Sequence, residues 1–285
     1  MISSRITVEN VVKSYGSTKV VGDCSFALEP GKLTVMIGPS GCGKSTLVRL
    51  LAGFEPPSEG GIAVDGAPAV GPSHDRLVLF QETALFPWMT ALDNVLYGPR
   101  ARGRVNEHTV QRAMELLHKV GCGAFAQKYP TQLSGGMQRR VELARAMINE
   151  PKVMILDEPF RGLDALTKEL MWQYYAALFE ETGRTHLFIT TDIDEAVFLA
   201  DRILIMANKP TRVRAVIDVD LPRPRSLETM VANDRAAEIK QQALDILHDE
   251  SLRSFAGGNK AALDFIASYE RRFGRVAASA ATEQQ

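Results

Sequence analysis

The chain has 285 residues, 45% of them hydrophobic, enough for one large α/β domain with an appendage or for two small domains. Its 33 basic and 34 acidic side chains nearly cancel, which excludes the basic excess expected of a nucleic-acid-binding protein. The 3 cysteines, Cys24, Cys42 and Cys122, have neither pairing nor metal-type spacing and suit a reducing compartment.

Met1-Ile2-Ser3-Ser4-Arg5 is followed by no long apolar run, so no signal peptide is expected. No stretch approaches the roughly 18 apolar residues of a membrane span. Service to a membrane would therefore require docking onto the helices of another protein. Residues 6–12 alternate apolar and polar, the pattern of an edge or half-buried strand. Leu33-Thr34-Val35-Met36-Ile37 is a short apolar run ending in a Gly-rich loop, and residues 47–53 read as a helix closed by Gly53. The β-rich runs 77–80, 153–156 and 187–190 suit strands buried on both faces of a largely parallel sheet, and residues 202–206 add another.

Residues 84–150 separate two of these runs and are mostly helical in pattern. Segment 109–120 carries Val110, Met114 and Leu117 at helical spacing; segment 138–148 carries Val141, Ala144 and Ile148. A helical insertion within an α/β core is the expected arrangement. Leu221-Pro222-Arg223-Pro224-Arg225 is a break. Beyond it, residues 226–274 return to helical patterning through Ile239, Ala243, Ile246 and Leu247, then Leu263, Ile266 and Phe273. The small, polar residues 276–285 are expected to be disordered. No internal repeat is present.

Gly38-Pro39-Ser40-Gly41-Cys42-Gly43-Lys44-Ser45-Thr46 fits G-x-x-x-x-G-K-[ST], after an apolar strand and at the opening of a helix. A polyanion must be wrapped by backbone N–H groups, and glycines remove the side chains that would block its approach. The helix that follows points its positive end at the phosphates. Lys44 would reach the β- and γ-phosphates, and Ser45 would ligate Mg²⁺. Cys42 reads as a small loop residue. Val153-Met154-Ile155-Leu156-Asp157-Glu158 delivers two carboxylates at the end of a buried strand. Asp157 would hold Mg²⁺ through water, and Glu158 would polarise the attacking water as general base.

Leu133-Ser134-Gly135-Gly136-Met137-Gln138 places a serine and two glycines at a helix start, a second anion-binding terminus. One triphosphate needs one cradle, so the second makes sense closing over the ATP of a neighbouring subunit. Over about residues 5–225 the chain resembles the ABC ATPase family, in which this segment is the signature motif, and the motifs fall in family order. The resemblance implies an α/β fold: a P-loop NTPase core of ABC ATPase type with a helical subdomain and a small antiparallel β region. The expected organisation is a nucleotide-binding domain over residues 1–225, its helical subdomain at about 84–150, and a C-terminal helical extension over 226–285. By the same resemblance Tyr15 stacks on adenine, and Gln81 touches Mg²⁺ and the lytic water. Leu163-Asp164 meets the opposite subunit. Each composite site would join Lys44, Ser45, Asp157 and Glu158 of one chain to Ser134 and Gly136 of the other.

One position departs from the pattern. In Ile189-Thr190-Thr191-Asp192, Thr191 stands where the family carries a histidine that contacts the γ-phosphate. Threonine donates one hydrogen bond but is shorter and never cationic, and losing one transition-state donor costs roughly 10²–10³ in rate. Either Thr191, a water or a neighbouring group compensates, or the site hydrolyses slowly and the chain is a nucleotide-gated regulatory subunit.

Residues 80–95 look like those of nitrate, sulfonate and taurine importer subunits. In such systems this region receives a helix of the membrane subunit, and Leu85, Phe86, Pro87, Trp88 and Met89 form a candidate socket. The partners this implies are two permease subunits, a second ATPase chain that is more readily identical than different, and an extracytoplasmic solute-binding protein. The implied location is peripheral, on the cytoplasmic face of the cell membrane. Soluble relatives that act on ribosomes or DNA carry a doubled motif set or long heptads; this chain has neither, and no nucleic acid is expected.

Overall fold

The computed structural model describes residues 3–256 of the chain. Two sheets share its core. The first is antiparallel and contains β1 (Ile6–Tyr15), β2 (Thr18–Leu28), β4 (Glu59–Val64) and β5 (Ala67–Pro68), in the order β2-β1-β4-β5. Residues 6–12 thus belong to an inner strand with one buried face, not to an edge. The second sheet holds β3 (Leu33–Ile37), β6 (Arg76–Leu79), β7 (Val153–Asp157), β8 (Thr185–Ile189), β9 (Arg202–Met206) and β10 (Val213–Asp218). Its order is β10-β9-β3-β8-β7-β6, parallel throughout except for β10 against β9.

Residues alternate between the faces of this second sheet, and both faces are covered. Val35, Ile37, Met154, Leu156, Phe188, Ile203 and Ile205 enter one cluster, with side chains of α5 (Ala165–Thr182), α6 (Ile193–Leu199) and α8 (Asp234–Ala256). Met36, Val153, Ile155, Leu187, Ile189, Leu204 and Met206 enter another, under α1 (Lys44–Ala52) and the antiparallel sheet. Each large aliphatic side chain buried this way contributes about 1.5–3 kcal/mol, which is why these runs carry almost no polar residue. A third cluster lies in the helical insertion between β6 and β7. It is built from α2 (Ala91–Ala101), α3 (Glu107–Lys119) and α4 (Gly135–Met147) around Val95, Leu116, Leu117, Val141 and Ala144.

Side-chain caps set where the helices begin. Thr90, Asn106, Ser134, Asp164 and Asp192 each accept an amide hydrogen of the first turn of α2 to α6. At the other end of α1, Gly53 has φ +80°, and a Cβ there would lie 2.1 Å from the Gly71 carbonyl oxygen.

After the Pro-rich break come α7 (Leu227–Val231), opened by a Ser226–Thr229 capping box, and then α8. Ala236, Ile239 and Ala243 of α8 are buried in the main cluster. Leu263, Ile266, Phe273 and the tail 276–285 lie outside the described residues. The break itself is anchored by Arg225, whose buried guanidinium donates to the carbonyls of Val197, Phe198, Ala200 and Leu221. Burial lowers its pKa to about 10, so the charge is retained at neutral pH. These carbonyls close the C-terminal end of α6 and the chain after β10. Arg225→Ala would leave them buried without their donor and is expected to lower stability by roughly 2–4 kcal/mol, read as a shift in urea midpoint at constant m.

Candidate functional site

The loop after β3 is shaped by contacts that exclude side chains. Gly43 has φ +118°, and a Cβ on it would lie 2.2 Å from the Thr211 hydroxyl oxygen. That hydroxyl donates to the Cys42 carbonyl. Gly41 has φ +74° and opens onto free space. The Cys42 thiol is buried in the hydrophobic cluster below the loop, and burial pushes its pKa up. It is therefore a protonated filler, and its amide donates to Pro39 O at 3.3 Å. Lys44 is buried, and its Nζ donates to Gly38 O at 2.8 Å and Pro39 O at 3.0 Å.

A cleft of about 370 Å³ runs beside the loop. It is lined by Val20, Ser40, Gly41, Gly43, Lys44, Ser45, Thr46, Gln81, Glu158, Arg161 and Lys209. Asp157, at the end of β7, is 8% exposed, with the Ser45 hydroxyl close by. Burial raises its carboxyl above the usual range; the Ser45 hydroxyl opposes this, and the Glu158 charge adds to it. A hydroxyl beside a buried carboxylate is a pair of hard oxygen donors, the chemistry that suits Mg²⁺ held otherwise by water and phosphate. Glu158 follows at φ +46°, a left-handed conformation that costs a non-glycine residue about 1–3 kcal/mol. The surroundings hold it there: its amide donates to Ile189 O at 2.9 Å, and its carbonyl accepts from Arg161 N at 3.2 Å. Its carboxylate is 14% exposed and pairs with Arg161 Nη1 at 3.1 Å.

Gln81 extends from the end of β6 with an exposed side chain, but its backbone is clamped by α4. Arg139 donates to the carbonyls of Phe80 and Gln81. Glu142, paired with Arg139, accepts from Ala84 N at 3.0 Å, and Arg145 donates to Ala84 O at 2.8 Å. The same helix starts at Ser134, whose hydroxyl accepts from Met137 N at 3.3 Å. Gly136 is buried, and a Cβ there would lie 3.2 Å from Thr167 Cγ2 of α5. Neither Ser134 nor Gly136 lines the cleft.

Thr191 is exposed and is also absent from the cleft lining. Its neighbours are firmly held. Thr190 Oγ1 accepts from Asp192 N, Asp192 caps α6, and Lys168 of α5 pairs with Asp192 at 2.5 Å. Below them Glu195 is buried and accepts from Trp172 Nε1 at 2.6 Å. Tyr15 ends β1 half-exposed, its hydroxyl bonded to Glu55 Oε2 at 2.6 Å, away from the residues that line the cleft. In the 85–89 segment Leu85 is buried in the helical cluster and so belongs to that core, whereas Trp88 is 70% exposed. Phe86 packs at a tilt against Trp88 and Tyr97 and lines a second cleft with Tyr97 and Arg145.

The ABC transporter family profile matches residues 21–161. The nitrate import ATP-binding protein NrtD of Synechococcus elongatus is 42% identical over 82% of this chain and 86% of its own length. The taurine import ATP-binding protein TauB of Pseudomonas aeruginosa is 40% identical over 85% of this chain and 95% of its own. The chain belongs to the ABC transporter ATP-binding family. It is an ATPase coupled to transport. A dimeric bacterial ABC transporter cassette superposes with a TM-score of 0.67 at 30% identity, covering 76% of this chain and all of that one. Among the described residues of this ABC subunit, no helix is long and apolar enough to cross a membrane.

Four residues of the ABC site escaped the sequence reading. Val20, from β2, and Lys209 and Thr211, from the connection between β9 and β10, are distant in sequence from the motif and announce themselves by no spacing. Arg161 lies three residues after Glu158 in a turn, and that offset was the available signal. Glu195 offers a test of the loop beside Thr191. Burial, the leading cause, lifts its pKa from 4.5 to about 7; Asp192 adds to the shift, while Thr190, Lys168 and Trp172 oppose it. The folded state thus binds the proton more tightly than the unfolded one. This contribution to stability is complete below about pH 4.5 and is lost as pH rises through about 7. Glu195→Gln is expected to be more stable than the parent chain by roughly 1–3 kcal/mol near pH 8 and to converge with it near pH 4, as read from urea unfolding.

Proposed function

We propose that the chain is the ATP-binding subunit that powers a membrane ABC importer of a small anionic solute, of the nitrate, sulfonate or taurine kind. The observation that carries the ATPase site is the meeting of Lys44, Ser45 and Glu158 on one glycine-walled cleft, with the buried Asp157 beside Glu158 at the strand end. The solute class is drawn from the relatives named as nitrate and taurine import proteins. Lys44 leaves the loop carbonyls to meet the β- and γ-phosphates. Ser45, Gln81 and Asp157 hold Mg²⁺, which screens the phosphate charge. Glu158 takes the proton of the attacking water. Gly38, Ser40, Gly41, Cys42, Gly43 and Thr46 shape the phosphate cradle, and Tyr15 stacks on adenine. Ser134 and Gly136 stand off their own cleft and close over the ATP of a second chain, a homodimer in preference to a heterodimer.

The nucleotide-binding domain spans residues 1–225, with its helical subdomain at about 84–150, and residues 226–285 form an extension that stabilises or regulates. Two permease subunits dock at the patch of Phe86 and exposed Trp88, and an extracytoplasmic binding protein supplies the solute. This places the chain at the cytoplasmic face of the membrane as a peripheral subunit. A second reading, a nucleotide-gated regulatory subunit with slow or no hydrolysis, is favoured by one observation: Thr191 is uncharged and outside the cleft. ATP turnover by the complex purified with its membrane partner separates the two.

Lys44→Ala removes the buried cation of the cradle. ATP affinity in an equilibrium titration with Mg²⁺ is expected to fall by at least about tenfold, since a hydrogen bond to a charged group is worth roughly 1.5–3 kcal/mol. Unchanged affinity would remove the phosphate site from this loop. Glu158→Gln keeps the shape of the side chain but accepts no proton, so closure proceeds while cleavage stalls. ATP is expected to trap this variant as a dimer, visible by light scattering; failure to associate, alone or with the membrane partner, contradicts a composite site.

A further inference from the structure

Charge that builds on a transferring phosphoryl group must be met by donors already in place, and a cation is worth most where water is scarce. Thr191 supplies no charge and does not line the cleft. Among the described residues, the cationic side chains that do line it are Lys44, Arg161 and Lys209. Only Arg161 of these is paired to Glu158, with Nη1 3.1 Å from Oε2. The left-handed Glu158 and the amide bond from Arg161 back to the Glu158 carbonyl fold residue 161 over the carboxylate. A guanidinium is a planar fork of several N–H donors and needs only one of them for Glu158. At 62% exposure the side chain has room to turn its other edge into the cleft.

We infer that Arg161 is a catalytic residue of this chain: one edge of its guanidinium orients Glu158, and the other donates to the terminal phosphoryl oxygens. It thereby supplies the positive charge that position 191 lacks. The inference rests on the reading of the cleft as an ATPase site. It moves no proton from Arg161; the side chain remains cationic throughout, while Glu158 takes the proton from water.

The test uses the full chain with its co-purified membrane partner. Arg161→Ala is expected to lower turnover at saturating Mg-ATP roughly 10²–10³-fold. ATP affinity should change little, while affinity for ADP–aluminium fluoride, a mimic of the transferring phosphoryl group, falls with turnover. Arg161→Lys keeps the charge but not the fork and should fall between. Thr191→His should restore part of the lost turnover in the Arg161→Ala background and add little to the parent chain. Turnover by Arg161→Ala equal to that of the parent overturns the inference. So does an equal loss of affinity for ATP and for the fluoride complex, the mark of a merely structural or ground-state role. A parent complex that binds ATP without turnover overturns it as well. Failure of the parent chain to bind ATP at all would instead refute the ATPase reading of the cleft.

Discussion

Thr211 ties three parts of the molecule together, and the phosphate loop depends on that tie. Its amide donates to Val20 O at 2.7 Å, and its carbonyl accepts from Gly22 N at 3.0 Å, so the turn between β9 and β10 is joined to β2 of the other sheet. Its hydroxyl donates to the Cys42 carbonyl. The loop can come this close only because Gly43 carries no Cβ. A loop that must present its amides to a polyanion keeps its outward face free of side chains. It is held instead from below, by the buried Cys42 thiol, and from the side, by Thr211. The positive φ at Gly43 and the opening of α1 follow from this confinement. Lys209, two residues before Thr211, reaches the cleft for the same reason.

The helical insertion depends on a second, polar constraint. Arg139, Glu142 and Arg145 of α4 grip the backbone from Phe80 to Ala84. The pair Arg139–Glu142 is almost fully buried, and breaking such a pair by removing one partner costs about 3–5 kcal/mol. The Gln81 backbone therefore moves with α4 or not at all. Ser134 opens that same helix, so the serine proposed to serve a second chain and the Gln81 that lines this chain's cleft are tied to one element. A shift of the insertion changes both together, which is the geometry a two-chain site needs if nucleotide is to report its state to a docked membrane subunit.

Much of this was legible in the sequence because the strands of the parallel sheet are buried on both faces. Apolar runs at 33–37, 77–80, 153–156, 187–190 and 202–206 mark them within about two residues. The helices α3 and α4 begin two or three residues earlier than their apolar periodicity suggests, because Asn106 and Ser134 cap a first turn with little apolar content. Helix α5 buries one face, Met171, Trp172, Tyr175, Ala176 and Phe179, but exposes Leu166 and Leu170 on the other, so its apolar residues are not confined to the buried stripe and the stripe does not stand out in the sequence. Strand β2 was hidden by irregular register against β1 and by a positive φ at Asp23, which break strict alternation. At the site, contiguous motifs were readable because a phosphate loop and a carboxylate-bearing strand end are local structures. Val20, Lys209 and Thr211 were not, since their approach to the loop is created by sheet packing alone.

Position 191 shows how placement and chemistry separate. The loop that carries it is held from both ends: Lys168 pairs with Asp192, and Glu195 anchors beneath Thr190 through Trp172. Both anchors come from α5, whose first turn is capped by Asp164. Thr191 is therefore fixed in place but short and neutral. Arg161 precedes the same helix by four residues and reaches the cleft from the other strand end. Supplying charge from the turn between Glu158 and Asp164, instead of from the loop after β8, would put the proposed general base, the cation and the cap of α5 on one short segment. In a site completed by a second chain, pressure on Leu163-Asp164 would then act directly on the arginine and through it on Glu158, so that assembly and charge placement become one event.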